Sequence, residues 1–252
     1  EIPLSRRGFF GAVAAGLCAT LGVDSLGSEA DAEPPVRPPM SVPEEEFLEM
    51  CIRCDACLQV CPNSVLQPAG LESSLDSLWT PRVAADWSGC DPSCNNCGQV
   101  CPTGAIRALP LAEKRVARMG LAEVKQNCLP WAGEEDCQLC VEECAKAGYD
   151  AIEFERVHAQ VSELGSPLEG TGLLAPVVIA DKCVGCGLCQ SVCHRINVRN
   201  KGILAETAVV VSAGPGKEDR LLHGSYIELR EQEELDRQGE IDRRAERLGD
   251  FC

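Results

Sequence analysis

The 252-residue chain has 39 acidic against 23 basic side chains, a formal charge of −16, and only 4% aromatic residues beside 18 cysteines. Such a charge repels phosphate backbones and anionic lipid, which argues against nucleic-acid binding. The scarcity of rings argues against an ordinary aromatic-rich core, and the length suits one large domain or two small ones.

In chain order, SRRGFF (5–10) runs into a small-residue apolar stretch at 11–26, and Ala30-Asp31-Ala32 offers a cleavage site. Residues 1–32 therefore read as a twin-arginine signal peptide, the alternative being a buried or amphipathic first helix. The apolar run is short for a stable span of about 20 residues. Cys18 would leave with the signal, and Leu17 before it argues against lipid attachment. Because the first residue is Glu1 and not Met, a few further residues are expected upstream. The proline-rich stretch EPPVRPPMSVP opens a linker (33–46) expected to stay extended. Ser41 with Glu44 resembles a capping box that starts a short helix through Phe47 and Met50.

Residues 47–212 are organised by sixteen cysteines in four groups of four. Group one is Cys51, Cys54, Cys57 and Cys61, followed by Pro62; group two is Cys90, Cys94, Cys97 and Cys101, followed by Pro102. Group three is Cys128, Cys137, Cys140 and Cys144; group four is Cys183, Cys186, Cys189 and Cys193. Their first cysteines lie 39, 38 and 55 residues apart, an internal repeat. Three thiolates at two-residue gaps wrap a tight loop around one iron–sulfur cubane. The fourth, three residues on, is expected to start a short helix and to ligate the cubane of a partner motif. The proline after it would fix the chain where that helix begins. Zinc sites use two C-x2-C pairs a dozen or more residues apart, and cysteines two apart seldom pair as disulfides, so four [4Fe–4S] clusters are the reading preferred over both. Segments 101–109, 120–128 and 175–183 read as short strands, giving an α+β, ferredoxin-like chain of two linked or interleaved two-cluster modules with long loops. The tail from 213 to 252 is heavily charged, with a thin stripe of Leu235, Ile241, Ala245 and Leu248. It reads as a solvated helix or disordered extension, with a docking helix as the alternative. Cys252 reads as an unpaired terminal thiol.

TPRV (80–83), CPTGAI (101–106), ARMGLAEVKQNCL (117–129), the widened first gap of group three and DKCVGCGLCQSVC (181–193) resemble the NapG/MauM family of exported polyferredoxins. The resemblance implies a periplasmic electron-transfer protein between a quinol-oxidising membrane partner and a periplasmic reductase or dehydrogenase, with any membrane association made through a partner. It also implies interleaving: Cys51, Cys54 and Cys57 with Cys193; Cys183, Cys186 and Cys189 with Cys61; Cys90, Cys94 and Cys97 with Cys144; Cys128, Cys137 and Cys140 with Cys101. Sequential pairing of one with two and three with four is the alternative. His194 and Ala145 stand where groups one and two have proline. His194 reads as a surface residue and Trp131 as packing over a cluster. No catalytic constellation is visible, since His158, His194 and His223 are isolated and no phosphate-binding glycine loop occurs. An electron carrier without its own substrate site is expected; the alternatives are a maturation factor for a periplasmic redox enzyme and a purely structural iron–sulfur subunit.

Overall fold

The computed structural model describes residues 34–71, 73–160, 168 and 170–249; the signal segment, Cys18 and Cys252 lie outside them. Two halves repeat one plan. In the first, Ser41 bridges Ile106, and between them lie group one, a hairpin of β1 (Leu66–Pro68) with β2 (Pro81–Val83), and group two. In the second, β3 (Leu121–Val124) pairs with β6 (Val209–Ser212). Group three, a hairpin of β4 (Ile152–Val157) with β5 (Leu173–Val178), and group four lie between those strands. All three pairings are antiparallel. The strand expected at 120–128 thus exists. It closes the second half on itself and does not link group two to group three.

The helices explain themselves through the cysteine spacing. Helix α1 (Glu44–Met50) starts with three acids in its first turn, which suits the helix dipole, and buries Phe47. Helices α2 (Ala56–Gln59) and α3 (Asn96–Gln99) fall between the third and fourth cysteines of groups one and two. They end before Cys61 and Cys101, so the fourth cysteine does not start a helix as its spacing suggested. Pro62 and Pro102 act as stops, because the residue before a proline is pushed out of the helical region. Where proline is missing, the helix runs on. α6 (Leu139–Lys146) passes through Cys144, and α7 (Leu188–Cys193) passes into a π-helical turn, His194–Asn200. Helix α2 packs on α3 and α6 on α7, and the short α5 (Leu129–Ala132) packs on β5.

Three further expectations are corrected. The proline-rich stretch is no extended spacer: Val36, Arg37, Pro38, Pro39 and Met40 are buried. Arg37 is held by Glu44 at 3.0 Å, Thr80 Oγ1 at 2.6 Å and the Pro81 carbonyl at 2.9 Å, and lies 4.6 Å over the Phe47 ring. The Ser41–Glu44 capping box does not form. The Ser41 hydroxyl donates to the Pro38 carbonyl at 2.8 Å, Glu44 is taken by Arg37, and the helix cap is Pro43. The ordered fold also extends beyond 213. Helix α8 (Tyr226–Gly249) docks its first turn on α4 (Leu111–Val116), with Tyr226 fully buried and Glu113 accepting from the Tyr226 N–H at 2.6 Å and the Ser225 hydroxyl at 2.6 Å. Past Arg230 most described side chains of α8 are solvent-exposed.

Candidate iron–sulfur sites

The sixteen cysteines of the four groups carry no disulfide, and their nearest sulfur neighbours sort them into four sets. Cys51, Cys54 and Cys101 lie close enough to Cys57 to act on its charge, and all four line one small cavity with Phe47 and Ile106. This is site 1. Site 2 joins Cys94 and Cys97 to Cys90, with Cys61 beside them; Asn63 ties the Cys61 loop to the Gly89 carbonyl at 2.9 Å. Site 3 joins Cys128, Cys137 and Cys193 to Cys140. Site 4 joins Cys183, Cys186 and Cys144 to Cys189, and the four line a second cavity with Tyr149 and Ile152. Cavity lining and neighbouring sulfurs put Cys101 with group one and Cys193 with group three, which is the sequential alternative and not the interleaved pairing. The cause is the sheet plan, since each half closes through its own outer strands and its own helix pair.

The loops that position these sulfurs need left-handed backbone. Gly185 and Gly187 supply it in group four at φ 66° and 80°. At the same places in group one stand Arg53 and Asp55, at φ 54° and 59°, without glycine's freedom. Arg53 is anchored by donating to the Leu78 carbonyl at 2.9 Å and the Asp76 carbonyl at 2.8 Å.

Do these sets suit iron–sulfur groups? Burial, then neighbouring sulfurs, push the thiols of Cys57 and Cys97 to about 12. The same happens to Cys140, and burial drives Cys186 to about 12 and Cys128 to about 11. Metal removes that penalty, because a coordinating thiol is deprotonated outright. Burial also pushes Cys101 up, but the Ile106 N–H (3.4 Å) and Thr103 (3.7 Å) outweigh it and bring Cys101 below its ordinary value. The Ala151 N–H donates to Cys144 at 3.3 Å, and the Asn197 amide nitrogen stands 3.8 Å from both Cys137 and Cys193. Donors aimed at sulfur are how proteins stabilise the charge of such groups. The buried Tyr149 hydroxyl, beside Cys186, Cys90 and Cys144, has no partner among the described residues. Among the same residues no three His, Cys, Asp or Glu converge as a single-ion site. The donor set fits.

The four sites also form a row. Cys57 of site 1 acts on Cys97 of site 2, and the Cys90 N–H of site 2 donates to the Cys186 carbonyl of site 4 at 2.7 Å. Cys140 of site 3 acts on Cys189 of site 4. The order is 1–2–4–3. Beside the Cys90–Cys186 bond the halves pack closely, since a side chain at Gly89 would meet the Leu188 side chain at 2.6 Å.

His194 is no sulfur neighbour; its Nδ1 is 3.1 Å from Thr207 Oγ1 and 3.7 Å from Asp86. Trp131 packs on the site 3 residues and donates to the Pro176 carbonyl at 3.0 Å. Sequence reading missed Asn197 and the buried Lys114. Asn197 had a signal, four residues after Cys193 on one helix; Lys114 had none.

Fold and sulfur sets define a ferredoxin-type iron–sulfur protein, and comparison with known proteins gives the same class. The chain is 34% identical over 184 residues to "Methylamine utilization ferredoxin-type protein MauM" of Methylorubrum extorquens, covering 71% of this chain and 76% of the relative. It is 36% identical over 163 residues to "Ferredoxin-type protein NapG" of Escherichia coli, covering 63% of this chain and 65% of the relative. It is 33% identical over 186 residues to MauM of Paracoccus denitrificans, covering 69% and 76%. No family model and no solved structure matches the chain. The chain belongs to the NapG/MauM family of ferredoxin-type electron-transfer proteins.

Proposed function

We propose that this chain is a periplasmic electron-transfer subunit, exported folded by the twin-arginine route. It relays single electrons through four [4Fe–4S] clusters between a quinol-oxidising membrane partner and a periplasmic oxidoreductase. The observation that carries this reading is the unbroken row of four cysteine sets. Bound there, the clusters supply one-electron carriers whose potentials respond to hydrogen bonds and exposure. The protein's own part is positional. Cys101, Cys61, Cys193 and Cys144 cross between motifs and hold neighbouring sites at fixed separation. The Cys90–Cys186 backbone bond carries the row across the joint between halves. Acidic charge favours a partner with a basic docking face.

Iron and sulfide counts with a redox titration read by electron paramagnetic resonance test this on anaerobically purified protein. About sixteen irons per chain and several interacting signals in the range of a quinol donor are expected. Sites that stay oxidised at every accessible potential would move the assignment to a structural role. Changing Arg6 and Arg7 to lysine should leave the precursor in the cytoplasm; unchanged export would exclude the twin-arginine route. The second reading is a maturation role for a periplasmic redox enzyme; relatives the chain covers to 76% carry names that tie them to methylamine utilization.

A further inference from the structure

Lys114, on the short helix α4, is 1% exposed. A buried ammonium is costly unless an opposite charge or good acceptors answer it. Its Nζ donates to the Asp91 carbonyl at 2.5 Å, and the same oxygen stands 4.0 Å from Cys90 Sγ. No carboxylate makes an ion pair with Lys114 among the described residues. Adjacent Glu113 is spent on the N-terminus of α8, accepting from Ser225, Tyr226 and Ile227. The Asp91 carboxylate feels Lys114 but accepts its hydrogen bonds from the Ser93 N–H at 2.7 Å and hydroxyl at 2.6 Å. The remaining negative group nearby is the sulfur set of site 2, whose Cys90 Sγ shares with Lys114 Nζ the Asp91 carbonyl as neighbour.

We propose that Lys114 is the counter-charge of the iron–sulfur group at site 2 and raises its reduction potential, a role that rests on the iron–sulfur reading of that site. When one electron arrives from a reducing partner, site 2 gains one negative charge. The neighbouring ammonium stabilises that charge directly, so no proton need be taken up. Lys114 is a positioning and tuning residue; it need not touch the iron.

The test compares Lys114→Met and Lys114→Arg in the full holoprotein, by redox titration with electron paramagnetic resonance and by iron content. The site 2 signal is identified as the one altered by Cys94→Ser. Lys114→Met should lower the site 2 potential so that reduction is about tenfold less favourable, 59 mV for one electron. Lys114→Arg should restore it, and the site 3 signal should stay in place. If Lys114→Met loses the site 2 iron while Lys114→Arg keeps it, the counter-charge role is also supported. An unmoved site 2 potential in Lys114→Met at full iron content would overturn the proposal, as would equal iron loss in both variants, which marks a packing role. If Cys94→Ser neither alters a signal nor takes iron from the chain, the reading of site 2 itself is what fails.

Discussion

At the scale of single residues, the cysteine loops show one backbone built from two kinds of residue. Gly185 turns through φ 66° with its missing side chain set against the Gly120 carbonyl, so any Cβ there collides with backbone. Gly185→Ala should therefore empty site 4 alone, removing about four of about sixteen irons; full iron content would show that the loop can yield. Asn197, 2% exposed, points its donor at two sulfurs of site 3. Bound sulfur is an acceptor only, which orients the amide nitrogen inward and leaves Oδ1 unpartnered among the described residues. Asn197→Leu should lower the site 3 potential by about half of the ~59 mV that a tenfold change represents. An unchanged redox titration would reduce Asn197 to packing. The four cysteine groups were legible because their repeated spacing stands out in the sequence. Lys114 was not, because burial and tertiary contact alone give it its place, whereas Asn197 could have been found from its position one helical turn after Cys193.

Among the elements, proline decides how each motif ends. Pro62 and Pro102 stop α2 and α3, whereas Ala145 lets α6 continue to Lys146 and bring the Cys144 sulfur to the Ala151 N–H. Ala145→Pro would remove a helical hydrogen bond and clash with the preceding turn, a cost of about 3 kcal/mol. It should lower the denaturation midpoint and loosen site 4; an unchanged midpoint would mean the last turn of α6 contributes nothing. Strands β3 and β5 could be read from their apolar runs. Their partners could not, since the pairing of β3 with β6 is a long-range choice that local pattern does not encode. The charged tail was read as one piece, yet Tyr226, buried against α4, anchors the helix start.

For the whole molecule, one part-buried ion network closes the first half around its sites. Glu44 links Arg37 with Arg220, which in turn pairs with Glu218, drawing the proline-rich stretch, α1 and the segment after β6 together. Burial would raise the Glu44 carboxyl, but hydrogen bonding and charge from Arg37, then Arg220, outweigh it and hold it below its ordinary 4.5. A carboxyl depressed in the folded state stabilises the fold above its unfolded value, and that contribution fades as pH falls through the lower folded one. Glu44→Gln should cost about 1–2 kcal/mol at neutral pH, the carboxylate being partly exposed. The gap from wild type in anaerobic denaturation should narrow only below pH 4.5. A gap that narrows between pH 6 and 8 would assign it to another group. Because sulfur sets occupy so much of the interior, removing iron with a chelator should abolish the cooperative melt.

Sequential closure of each half, which sets the 1–2–4–3 row, is tested most directly by the iron content of the double variant Cys128→Ala/Cys193→Ala. If both cysteines serve site 3, a single site is lost and about twelve of about sixteen irons remain, with one resonance signal missing. About eight irons and two missing signals would place the two cysteines in different sites and contradict the account.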